Sequence, residues 1–253
     1  MHCSLAHFSL PKLGNDSGDY EDAFSPKGYS GGLNLSVAIA DGATESSFAS
    51  EWARMLARAF AKEPLMSIDL LKTRTEDLSR RWHSVVTRKP LQWYAEEKIR
   101  SGAFSTLLGA QIATASNGSS LDGGRWSAIA IGDSCLFQVR QDKLLTSFPL
   151  QKSIEFGNSP TLLSSNLSRN SEVWGRVKEI SSRWELGDLF FLATDALASW
   201  FLSQHEQDQK PWHILLNVCN APNSEQSFKI WADDLRINAK MKNDDVTLLL
   251  LKL

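Results

Sequence analysis

Four segments of this chain join an apolar run to an aspartate. Val37-Ala38-Ile39-Ala40 ends on Asp41-Gly42, Ala128-Ile129-Ala130-Ile131-Gly132 ends on Asp133, and Phe190-Phe191-Leu192-Ala193-Thr194 ends on Asp195. In the fourth, Asn243-Asp244-Asp245 leads directly into Val246 to Leu251. Strand ends project from a sheet, so carboxylates placed there can converge on one rim. With no matching cations expected nearby in sequence, such a group repels itself, and the usual remedy is a hard divalent metal held through oxygen. Carboxylate ligands suit Mg²⁺ or Mn²⁺, whereas zinc would want His or Cys. Glu21-Asp22, in the turn-rich acidic stretch Gly14 to Asp22, takes on this meaning only in company with the others. An enzyme is therefore expected.

The elements that must position these residues follow from hydrophobic periodicity. Residues 5–10 read as an edge strand ended by Pro11, and Leu33 to Ala40 as a strand leading into Asp41-Gly42. Trp52, Ala53, Leu56, Ala59 and Phe60 share one face of a helix over 50–61, with Ser46, Ser47 or Ser50 as its cap and Pro64 closing it. Leu70, Leu71, Leu78, Trp82 and Val85 place a second helix over 67–86, and residues 91–99 add a turn or two after Pro90. Two amphipathic helices after one strand argue for a sheet covered by a helical layer.

From Phe104 the pattern changes to short apolar runs at 104–115, 125–131, 134–140 and 143–148, with a Gly/Ser/Asp hairpin loop over 117–124. They are spaced too closely for βαβ crossovers, so they are expected as antiparallel neighbours, which excludes a Rossmann-type sheet. Residues 149–183 read as a long irregular surface excursion, with turns at Gly157, Asn158 and Pro160. After the strand 189–194 come helices at 196–204, 211–218 (with Pro211 at its first position) and 223–239, the last carrying Phe228, Ile230, Trp231 and Leu235. The apolar run 246–253 must be an internal strand.

Composition narrows the class further. At 253 residues with 42% hydrophobic and 22% charged residues, one globular domain over 1–253 is expected. A net charge of −2 gives no electrostatic case for nucleic acid or an acidic membrane surface. Cys3, Cys135 and Cys219 are odd in number and lack C-x-x-C spacing, which suggests reduced thiols in a cytoplasmic protein. No signal peptide and no membrane-spanning run is expected.

Taken in order, Glu21-Asp22, Val37 to Gly42, Gly102-Ala103-Phe104-Ser105-Thr106, Ile131-Gly132-Asp133-Ser134, Gly187 to Asp195 and Asp244-Asp245-Val246-Thr247 resemble the motifs of the type 2C protein phosphatases, metal-dependent Ser/Thr phosphatases, especially short bacterial members. The resemblance implies an α+β fold, a four-layer α/β/β/α sandwich with two central antiparallel sheets flanked by helices. It implies two Mn²⁺ or Mg²⁺ ions held by Asp22, Asp41, the carbonyl of Gly42, Asp195 and Asp244, some through water, with Asp41 bridging both. Asp133 matches the position that helps hold a third, weaker ion. Asp245 falls where the family often has Asn, which favours Asp244 as the ligand. Asp41 and Asp195 are then the principal catalytic carboxylates, and the substrate is a phosphorylated protein, the target of a Ser/Thr kinase. Two ions about 4 Å apart lower the pKa of a shared water toward neutral and brace the phosphate oxygens, so hydroxide attacks phosphorus directly. No side-chain nucleophile is needed, and the sequence has no Cys-x5-Arg loop, Gly-x-Ser-x-Gly elbow or Walker glycine loop.

Three positions depart from the pattern. The arginine that many members place before Glu-Asp is Ser17, with Lys12 nearby as a point charge without arginine's bidentate fork. The histidine some members carry after Asp-Gly is Thr44, and the glycine after the third aspartate is Ala196. Singly, Asp41-Gly42 reads more readily as a tight hairpin turn than as a ligand pair, while Asp195 also reads as a helix N-cap and Asp244-Asp245 as a solvated loop. Ser17 and Ala196 keep open a silent phosphatase-like module that binds a phosphorylated partner or kinase, and a small phosphorylated substrate is a third reading.

Overall fold

The computed structural model of the protein describes all residues except 1–2, 29–33, 45, 89–96, 98, 115–122 and 158. The helical turns expected over 91–99 and the hairpin loop over 117–124 lie largely outside the described residues, as do Leu33 and Asn158. The rest divides into two compact units, each built on one five-stranded antiparallel sheet.

The first unit comprises Glu21–Ser134 and Pro160–Leu186. Its strands are β2 (Ala23–Gly28), β3 (Asn34–Ala40), β5 (Leu107–Thr114), β6 (Gly123–Ile131) and β10 (Lys178–Glu185), in the order β10-β6-β5-β3-β2. A two-residue pair, β4 (Phe104–Ser105) with β9 (Leu163–Ser164), stands beside them in the same unit. Helices α1 (Ala49–Lys62) and α2 (Ile68–Val86) bury the stripe their periodicity foretold. Trp52, Leu56, Phe60, Leu71, Leu78 and Trp82 pack with Ala38, Ala40, Ile129 and Ile131 of the sheet. Burying each large apolar side chain contributes roughly 1.5–3 kcal/mol. Leu70, by contrast, faces solvent.

The second unit comprises His2–Tyr20, Cys135–Ser159 and Gly187–Leu253. Its sheet runs β1 (Ser4–Leu10), β12 (Val246–Lys252), β11 (Leu189–Ala193), β7 (Cys135–Arg140), β8 (Lys143–Phe148). As expected, β12 is internal, with Val246 to Leu251 all buried. Helices α3 (Asp195–Glu206), α4 (Pro211–Cys219) and α5 (Ser224–Ile237) cover this sheet. Phe137 stacks on Phe201 at 4.0 Å, and Phe8 stacks on Phe228 at 4.9 Å. The expected α+β class with two antiparallel sheets flanked by helices is what the chain forms.

The structure corrects three local readings and adds one strand that the apolar pattern does not mark. Ala23–Gly28 is a strand despite Pro26, tolerated because β2 lies at a sheet edge where a missing N–H breaks no inner ladder. The 149–183 stretch is not structureless; it holds β9, three short 3-10 turns and the start of β10. β10 escapes a hydrophobic reading because it is a half-solvated edge strand in which Ile180 and Trp184 alone are large and apolar. β6 and β7 are not neighbours: Gly132 to Ser134 carries the chain from one sheet to the other. Finally, no serine caps α1. Its N-cap is Phe48 in left-handed conformation, while Ser46 hydrogen-bonds Ala43 and Phe104.

Candidate metal centre

In the first unit, β2 and β3 pair antiparallel with Ala23 opposite Ala40, so Asp22 and Asp41 flank the last rung of the ladder. Asp22 is buried. Asp41-Gly42 is not a hairpin turn: α1 follows it, and Gly42 bridges Ser105. The Asp41 N–H donates to Thr106 Oγ1 at 3.0 Å, the Thr106 N–H donates back to the Asp41 carbonyl at 2.8 Å, and the Ala43 N–H donates to the Phe104 carbonyl at 2.9 Å. These bonds give the Gly102 to Thr106 motif its role, which is to fix the backbone of Asp41 and Gly42. Nothing in the local sequence marks this role of Thr106, because its partner Asp41 lies 65 residues away.

Glycine is required at position 42, since a Cβ there would lie 2.7 Å from the Glu21 carbonyl oxygen and 3.0 Å from the main chain of Ala49. The same Thr106 hydroxyl lies 3.1 Å from Ser134 Oγ, next to buried Asp133. Gly132 precedes that aspartate with φ of +100°, a left-handed turn in which an added Cβ would meet Thr106 at 2.6 Å.

In the second unit, Asp195 opens α3 one residue inside its cap, which is Thr194. Asp195 Oδ1 accepts from the Ala196 N–H at 2.6 Å, where the helix N-terminus favours negative charge. The structure brings Asp195 together with Asp244 around one ammonium: Lys242 Nζ lies 3.0 Å from Asp195 Oδ2 and 2.7 Å from Asp244 Oδ2. Lys12 Nζ reaches Asp244 Oδ1 at 3.1 Å. Asp244 and Asp245 are thus no solvated loop. Arg236 donates to the Asp244 carbonyl at 2.7 Å and to the Pro11 carbonyl at 3.1 Å, and buried Asp245 accepts from the Lys12 N–H at 2.8 Å.

Burial pushes the Asp195 carboxyl up, opposed by Lys242 and reinforced by the charge of Asp244. Burial acts the same way on Asp244, but hydrogen bonds from Lys242 and Lys12 outweigh it and hold that carboxyl below its ordinary value. The expectation that no cations lie near the carboxylates in sequence is therefore corrected. Lys242 precedes Asp244 by two residues, a signal that was readable in the sequence. Among the described residues, no group of three or more His, Cys, Asp or Glu side chains is gathered to hold one ion.

The protein phosphatase 2C family model matches residues 18–233. The chain belongs to that family. No curated protein matches its sequence. Among solved structures, the photosystem II phosphatase PBCP superposes with a TM-score of 0.59 at 14% identity, covering 100% of this chain and 99% of its own. The catalytic domain of the serine/threonine protein phosphatase PstP, solved in complex with two manganese ions, gives 0.57 at 17% identity over 99% and 97%. RsbX in complex with magnesium gives 0.52 at 18% over 100% and 96%. At these identities the likeness establishes the fold alone. The family match spans Asp22, Asp41, Gly42, Asp133 and Asp195 and stops short of Asp244.

The residues fit a hard divalent cation. Every candidate donor is an oxygen, and a cation already stands between Asp195 and Asp244 in the form of the Lys242 ammonium.

Proposed function

We propose that the chain is a metal-dependent phosphatase that hydrolyses phosphoserine and phosphothreonine in proteins. The observation that carries this reading is the protein phosphatase 2C match over residues 18–233, which spans five of the six candidate ligands. Residues 1–253 then act as one catalytic domain whose metal ligands are Asp22, Asp41, the Gly42 carbonyl, Asp195 and Asp244, with Asp133 serving a third, weaker site. The manganese of PstP and the magnesium of RsbX support two Mn²⁺ or Mg²⁺ ions as cofactors.

Bound ions would activate water and brace the phosphate oxygens. The chain's own task is positioning. Thr106 fixes Asp41 through two hydrogen bonds, Arg236 anchors the backbone of Asp244, and Lys12 stands at Asp244 as a point charge for substrate phosphate where the family's arginine is Ser17. The substrate is a phosphoprotein made by a Ser/Thr kinase. Three cysteines without C-x-x-C spacing support a cytoplasmic setting, and no described helix is long and apolar enough to cross a membrane.

A second reading is a silent phosphatase-like module that binds a phosphorylated partner or kinase. It is favoured by Ser17 and by the lysine lodged between Asp195 and Asp244. Hydrolysis of p-nitrophenyl phosphate and a phosphothreonine peptide with Mn²⁺, Mg²⁺ or EDTA separates the two. The phosphatase reading expects metal-dependent phosphate release that falls at least about a thousandfold in Asp41→Ala and in Asp195→Ala. Turnover that survives both changes contradicts it. A folded chain that is inert with every metal is what the silent module predicts.

A further inference from the structure

We propose that Lys242 is a tethered counter-cation that occupies a metal position between Asp195 and Asp244 and must be displaced before a divalent ion can bind there. The inference rests on the metal-centre reading above and adds a built-in competitor to it. Its ground is geometric. One ammonium contacts an oxygen of each carboxylate at 3.0 and 2.7 Å, the arrangement a bridging cation takes up. Metal–oxygen bonds of about 2.0–2.2 Å would require each oxygen to move in by about 1 Å or less, which side-chain rotation supplies.

The two partners differ in freedom. The Lys242 side chain is 58% exposed, while Asp195 and Asp244 are 16% and 23% exposed. Both carboxylates are also anchored independently of the lysine, Asp195 by the Ala196 N–H and Asp244 by Lys12 and, through its carbonyl, by Arg236. The lysine can therefore swing into solvent and leave the cradle intact. Charge makes the exchange a competition: with Lys12 and Lys242 in place, two carboxylates face two ammonium groups, and a divalent ion arriving beside Lys242 would meet its repulsion. Occupancy by lysine and by metal then oppose each other with one coupling free energy, read equally from either side.

The consequence is a site that stays assembled without metal and loads only when the metal concentration outcompetes the tether. Lys242→Met removes the charge and keeps most of the stem, and Lys242→Arg keeps the charge. Mn²⁺ affinity, measured by calorimetry or from the free-Mn²⁺ paramagnetic signal, is expected to rise about tenfold in Lys242→Met and to stay near wild type in Lys242→Arg. In EDTA, Lys242→Met should melt below wild type, because the carboxylates lose their counter-ion, and saturating Mn²⁺ should erase that difference. Equal or weaker Mn²⁺ binding by Lys242→Met, while wild-type binding is lost on Asp41→Ala, overturns the inference and leaves the metal centre standing. No Mn²⁺ binding by wild type or by Lys242→Met overturns the metal centre and the inference together. Tight binding by Lys242→Met where wild type binds weakly supports both.

Discussion

The two units hold their acidic residues by different means. The first fixes them through the backbone: Thr106 clamps Asp41, a close-packed glycine stands at 42, and a left-handed glycine precedes Asp133. The second fixes them through charge, with Lys242 and Lys12 on Asp195 and Asp244 and Arg236 beneath. One half is thus sensitive to shape and the other to electrostatics. Substitutions of equal size should act on them differently.

The largest effect on stability is expected at Arg236, whose side chain is buried and ties the Pro11 and Asp244 carbonyls and the Asp233 carboxylate together. Arg236→Met should cost about 3 kcal/mol in urea unfolding, because it leaves three acceptors without their shared donor, and it should weaken Mn²⁺ binding through Asp244. An unchanged unfolding midpoint would remove charge as the organising force of the second unit. Gly42→Ala comes next, at about 2 kcal/mol, because the new methyl would press on main-chain atoms of Glu21 and Ala49 that no side-chain rotation can relieve. Gly18→Ala, where an added Cβ meets nothing within 4 Å, serves as its neutral control. Equal stability of the two alanine variants would contradict the shape argument for the first unit.

The smallest effect tests charge in the second unit away from the candidate ligands. Asp142, in the β7–β8 turn, accepts hydrogen bonds from Lys210, Trp212 and His213 at the start of α4, and these draw its carboxyl from 3.8 down to about 2. A depressed carboxylate adds stability that is fully present above its unfolded value and is lost as pH falls through its folded value. Wild type should therefore exceed Asp142→Asn in melting temperature at neutral pH, and the gap should close between 3.8 and about 2. A gap that persists at the acid end would mean that packing, and not charge, holds the turn.

How much of this was legible depends on where each residue finds its partners. Apolar periodicity gave α1, α2, the helices after β11 and internal β12, because these elements bury a regular stripe. β2 and β10 were hidden for one physical reason: edge strands need few apolar residues and tolerate Pro26. The aspartates at strand ends were readable as a set. Their supports were less so, since Thr106 works through contacts 65 residues distant in sequence and Lys12 through an ion pair to Asp244 at the far end of the chain. Lys242 is legible in the sequence as a cation two residues from Asp244, but its contact with Asp195, 47 residues away, appears only in the fold.

The measurement that bears most directly on the account is the stoichiometry of Mn²⁺ binding by calorimetry, for wild type and Asp41→Ala. At least two ions per chain in wild type, with binding reduced to one or none when the Asp41 carboxylate is removed, is the predicted result. A folded wild-type chain that takes up no Mn²⁺ at millimolar concentration, or an Asp41→Ala protein that binds as wild type does, would contradict it.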